Sequence, residues 1–258
     1  MEKIKAIALN TYRESIRSKL LYAVMFFALA MLLLSTFFGT VTIGDQMKVI
    51  KDFGLFSISL FSVAYVVIAG STLLNKELAR KTIYNILGKA VRRSEFIAGK
   101  YLGMLFTAAT LVLLMSTGLA IYLYFFEEKI DYLIFYNALF LSFELVIICA
   151  AVILFSSIVV TPVLSGLFSF AIFLAGRSSE YLSYFIQEGL QGSGKIILES
   201  LQYVLPNLDK LNVANDVVSG NISGLEIQNI LWSALYSISY AAVLLIIANA
   251  IFSRREFN

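Results

Sequence analysis

Two apolar runs, residues 53–74 and 101–126, are each long enough to cross a bilayer, since about 20 helical residues span ~30 Å of hydrocarbon. Between them, residues 75–100 carry seven Lys and Arg (Lys76, Arg80, Lys81, Lys89, Arg92, Arg93, Lys100) against two carboxylates, Glu77 and Glu95. A short loop this basic stays on the cytoplasmic side of a membrane protein, and so orients the whole chain. The loop is also patterned. Leu78, Thr82 and Ile86, with Ile83 and Leu87 beside them, recur at helical spacing and give one apolar face. Glu77 and Lys81 form an i,i+4 pair in the favourable order. Gly88 reads as a helix stop, and Ser94 as the N-cap of the next helix. The expected product is a short amphipathic helix on the cytoplasmic surface, then a basic turn: a docking element for a soluble partner.

The rest of the chain reads as an all-α integral membrane domain spanning residues 1–258. Hydrophobic residues make up 59% of it and charged residues 14%, where soluble domains carry about 25% charged. Residues 1–19 are too charged to insert. Ile4, Ile7, Ala8, Thr11 and Ser15 share a helical face opposite Arg13 and Arg17, which suggests an interfacial helix along the cytoplasmic surface; a mobile basic N-terminus is the alternative. A cleaved signal peptide is not expected, because the next run is long and lacks a small-residue cleavage pattern. Six spans are expected at residues 20–38, 53–74, 101–126, 132–155, 159–176 and 230–252. The fourth and fifth divide one apolar region, broken where Ser156, Ser157, Thr161, Pro162, Ser165 and Gly166 concentrate. Residues 39–52 form an external loop, and residues 177–229 a large external segment with short interfacial helices. Both termini then face the cytoplasm. Fourteen of the 20 Lys and Arg fall on that side, as the positive-inside rule requires.

Few residues carry chemistry. The chain has no histidine, and its single Cys149 sits in an apolar run, so it forms no intramolecular disulfide. No catalytic, cofactor-binding or metal-ligating set is expected. The basic residues flank membrane spans, which gives no nucleic-acid signature. Residues 189–195 fit the first seven positions of a phosphate-binding loop, but the eighth is Ile196 where Ser or Thr should hold magnesium. A Gly-rich turn is the better reading. Glu144 is the one carboxylate inside an expected span. Such a residue is costly in hydrocarbon and faces a bundle interior, either as a functional group or in an interhelical hydrogen bond. Gly99 and Gly103 form a small-xxx-small pair, suited to close helix packing or to flexible entry of the third span.

Glu77, Thr82, Ile86, Leu87, Arg93, Glu95, Phe96, Gly99 and Lys100 together resemble the coupling region of type-2 ABC transporter permeases, the membrane subunits that pair with a separate cytoplasmic ATPase. Where that family often has Pro, this chain has Ala90, so its turn is expected to be less rigid. The surface helix, six spans and large segment before the last span resemble the same fold. The stretch from Leu205-Pro206-Asn207-Leu208-Asp209 through Val218-Ser219-Gly220 further resembles the subgroup containing the permease that serves nitrous-oxide reductase maturation. The resemblance implies a homodimer in a prokaryotic cell membrane, coupled to two ATPase subunits that hold ATP and magnesium, with no enzymatic activity in this chain. It assigns ATPase coupling to Glu77, Leu78, Thr82, Ile83, Ile86, Leu87, Arg92, Arg93 and Glu95. Arg92 and Arg93 suit either steering of the ATPase or anchoring to anionic lipid. A competing expectation is a mechanical transmitter that moves no solute and passes force to an external protein docked on residues 177–228. A secondary transporter would need coupling-ion sites or internal repeats, and neither is visible.

Overall fold

The computed structural model describes residues 2–41, 46–79, 91–129, 131–159, 161–181, 184, 198–199, 202, 204–220 and 227–254. Among them the chain is helical, without strands: α1 Glu2–Ile16, α2 Lys19–Val41, α3 Gln46–Ala79, α4 Arg93–Glu127, α5 Leu133–Ile158, α6 Pro162–Arg177, a 3-10 turn Asp209–Leu211, α7 Ala214–Ser219 and α8 Ile227–Arg254. Five helices (α2, α3, α4, α5 and α8) are long and apolar enough to cross a membrane. Their outward faces carry Phe26, Phe37, Phe125, Trp232 and Ile246, all well exposed. An apolar exterior this extensive suits hydrocarbon rather than water.

α5 is the central post. Ile147, Ile148, Cys149, Ala150, Ala151 and Val152 are fully buried in succession, so every side of this helix is covered. α3, α4, α6 and α8 pack around it, while α2 lies outside on α3. α2 and α8 keep one broad face exposed, and both are peripheral.

Several boundaries differ from the sequence expectation. The loop expected at 39–52 is mostly helix, since α2 runs to Val41 and α3 begins at Gln46. Its charges do not break the helix because Lys51 pairs with Asp131 at 3.0 Å, tying the start of α3 to the α4–α5 connection. α4 begins at Arg93 with Arg92 as its N-cap, not Ser94. The Glu95 carboxylate reaches back and accepts the Arg92 N–H at 2.8 Å, which satisfies that donor and starts the helix two residues earlier than expected. The break before α6 falls where expected, with Pro162 at the first helical position. α6 itself has 16 residues, about 24 Å at 1.5 Å per residue. That is short of a ~30 Å hydrocarbon core.

α1 packs on α4 through the face read from the sequence, burying Ala8, Thr11 and Ser15. A Cβ on Gly99 would lie 2.7 Å from Ile7, and one on Gly103 only 2.6 Å from the Ala8 carbonyl. Further along, the Tyr12 hydroxyl meets Thr110 at 3.3 Å. The contacts advance together along both chains, so α1 runs beside α4 in the same direction. The small-xxx-small pair therefore serves close packing. Because the obstacle at Gly103 is backbone, Gly103→Ala should destabilise the fold by about 1–3 kcal/mol, read as a lower melting temperature in detergent. Gly118→Ala, on the same helix with nothing within 4 Å of the new Cβ, should leave it unchanged or raise it.

Candidate functional site: an ion pair inside the bundle

Glu144 lies near the middle of α5 and is completely buried. Its partner is Arg177, the last residue of α6. The guanidinium grips the carboxylate as a fork, with Nε donating to Oε1 at 3.0 Å and Nη2 donating to Oε2 at 2.9 Å. Nη2 also donates to the Ser59 hydroxyl of α3 at 2.9 Å. The Phe173 ring, one turn earlier on α6, lies 5.7 Å from the guanidinium carbon. Two parallel charge-assisted bonds fix distance and orientation together, which a lysine cannot do. The pair therefore locks α3, α5 and α6 at one level.

The sequence reading left Glu144 without a second ionisable group in the spans and put Arg177 in the external segment. The structure corrects both. Arg177 is missed by hydropathy because it directly follows the apolar run. The available signal was length: a helix starting at Pro162 reaches Arg177 before it can cross.

The space left by short α6 is taken by the chain's own return segment. Leu208 N–H donates to the Gly176 carbonyl at 3.1 Å. A Cβ on Gly176 would lie 2.7 Å from the Pro206 carbonyl, so this approach requires glycine. Tyr236 on α8 accepts the Asn207 N–H at 2.9 Å, and the Tyr240 hydroxyl donates to the Val204 carbonyl at 2.7 Å. Leu208, Leu211 and Val217 are buried beneath. Between this segment and the helices lies a cavity of about 110 Å³, with Asp52, Ser59, Asn137, Glu144, Arg177 and Asn215 among its walls.

The other expected site lies at the opposite, basic end. Glu77 and Leu78 fall in the last turns of α3. Thr82, Ile83, Ile86 and Leu87, with the Gly-rich stretch 189–195, lie outside the described residues. Arg92 and Glu95 form the N-terminus of α4, as above. Arg93 turns inward: Nη1 donates to the Phe252 and Ser253 carbonyls at 3.0 and 2.8 Å, capping the C-terminus of α8. Phe96 stacks on Phe252 beside it, with ring centroids 6.2 Å apart. The structure thus holds Arg93 on its own chain, and does not bring it together with Glu144. Among the described residues no group of three or more His, Cys, Asp or Glu side chains is placed to hold a metal.

No protein-family model matches the chain, and no curated protein matches it. The likeness to type-2 ABC permeases therefore rests on the residues quoted for it.

Removing one partner of a buried, hydrogen-bonded ion pair costs about 3–5 kcal/mol, because the other is stranded. Here the stranding is unequal, since the Arg177 side chain keeps 24% exposure and Glu144 none. Arg177→Gln should lower the melting temperature more than Glu144→Gln, because a freed arginine turns toward solvent and a freed carboxylate cannot. Equal losses from the two variants would contradict this geometry.

Proposed function

We propose that this protein is the membrane subunit of an ATP-driven transporter of the type-2 ABC permease kind. It works as a homodimer coupled to separate cytoplasmic ATPase subunits, which bind the ATP and magnesium. In this reading the chain makes six passes, α6 being completed by residues 204–220. It resides in a prokaryotic cell membrane with both termini in the cytoplasm.

The observation that carries the reading is the pair of over-long helices flanking the basic stretch. α3 has 34 residues and α4 has 35, each about 50 Å at 1.5 Å per residue. A ~30 Å hydrocarbon core leaves both projecting beyond the bilayer. Helices that overhang and are joined by a basic, amphipathic segment suit levers driven by a soluble motor. ATP-driven closure would press on residues 75–93. α3 would pass that push to Ser59 and the ion pair, while α4 passes it to α1 and α8.

The second reading, force transmission without solute movement, draws on the seating of residues 204–220. These residues are hydrogen-bonded to the end of α6 and to α8, so movement of either helix would shift the surface they present. An external protein docked on residues 177–228 would feel that shift.

Replacing Ile86 and Leu87 together with Asp should abolish co-purification of the ATPase while membrane insertion persists; undiminished binding would sink the coupling assignment. Orientation has its own test. In a Cys149→Ser background, Ser219→Cys should react with a membrane-impermeant maleimide in intact cells or spheroplasts. Labelling that appears only after lysis would reverse the topology.

A further inference from the structure

We propose that the cavity beside the Glu144–Arg177 pair is a water-filled inlet. It admits water and solutes of about water's size, and the ion pair forms its floor halfway down α5. The inlet opens at the end of the bundle where α2 meets α3 and α4 meets α5. The inference does not rest on the ATPase-coupled reading.

Three observations carry it. The first is a polar wall. Asn137 lines the cavity and is only 5% exposed, yet its amide is not among the sealed, unpartnered side-chain groups of the described residues, which are those of Thr11, Ser116 and Ser237. A buried water needs two to four polar partners; Asn137, Ser59, Asn215 and the rim of the ion pair supply them.

The second is size. A volume of about 110 Å³ holds three or four waters at ~30 Å³ each. The third is a gradient of exposure along one line of residues. Asp52 and Asn215 are exposed at the rim. The Arg177 side chain keeps 24% exposure, and Glu144 behind it has none. Solvent thus reaches the guanidinium and stops at the carboxylate. Beyond the pair, Leu145, Ile147, Ile148 and Cys149 are apolar and fully buried, so the polar path ends there.

A thiol placed in the inlet should meet water-borne reagents that a thiol in the apolar core does not. Asn137→Cys and Ser59→Cys would be made separately in a Cys149→Ser background and reconstituted into liposomes. Silver nitrate in chloride-free buffer is the probe, being a charged ion comparable in size to water. After timed exposure the protein is denatured, and remaining free thiol is counted with a maleimide. The parent protein, whose one thiol is Cys149 on the same helix, is the dry reference. Asn215→Cys marks the rim.

We expect both inlet thiols to be blocked more than about tenfold faster than Cys149, approaching the rim position, because thiol reactivity follows exposure. Blocking of neither inlet thiol faster than Cys149, in protein that elutes as a single folded species, would overturn the proposal. Should Asn137→Cys fail to fold, Leu141→Cys on the same wall replaces it, with the same two outcomes.

Discussion

Backbone N–H and C=O groups have no water to bond at the depth of a hydrocarbon core, so each must find a partner inside the protein. Most of this chain meets the requirement by continuous helix. α6 does not, because it stops at Arg177 with the bundle only partly crossed. Its open end is closed by Leu208 N–H on the Gly176 carbonyl, and the segment that supplies this bond is itself held by Tyr236 and Tyr240. Non-helical backbone at such a level persists only where protein buries it or water reaches it. Here both hold, with Leu208 and Leu211 buried on one side and a polar cavity on the other.

The same stop explains why a carboxylate can sit in the middle of α5. A charged side chain at the centre of a span costs about 2.5–3.5 kcal/mol on insertion scales. Arg177 comes level with Glu144 because α6 starts at Pro162 and reaches that arginine after 16 residues. Ending α6 at this level delivers the guanidinium end-on, with geometry for two parallel bonds and a third to Ser59. Hydrophobic residues of equal volume would often be as stable in its place. What the pair adds is register. It fixes α3, α5 and α6 at one height, and it supports the polar floor on which the return segment rests.

How much of this the sequence discloses depends on whether a feature is local. Helix existence is local: apolar runs of about 20 residues mark α2, α3, α4, α5 and α8. So is the buried face of α1, since Ala8, Thr11 and Ser15 recur at helical spacing. Pro162 marks the break before α6 because it cannot donate to a preceding turn. Tertiary partners are invisible to such patterns. Glu144 and Arg177 lie 33 residues apart, and nothing in either neighbourhood names the other. Hydropathy assigned Arg177 to a loop because charge at the end of an apolar run usually belongs there. Lys51 and Asp52 were read as loop for the same reason, although Asp131 meets Lys51 from the α4–α5 connection. The start of α4 was missed by two residues because Glu95, not Ser94, supplies the capping oxygen.

At the basic end, α4 acts as a shared strut. Its first residues hold the C-terminus of α8 through Arg93 and Phe96, and its Gly99 and Gly103 seat α1. Packing this close resists partial deformation, as cores at crystal-like density do. A push on the segment before α4 would therefore reach α1 along its length and α8 at its C-terminal end. α3 answers to the other end of that segment and reaches Ser59 and the ion pair. The two helices that leave the basic stretch thus lead to different halves of the bundle, one to the periphery and one to the buried charge. α5, gripped by both, is where a relative displacement would have to be absorbed.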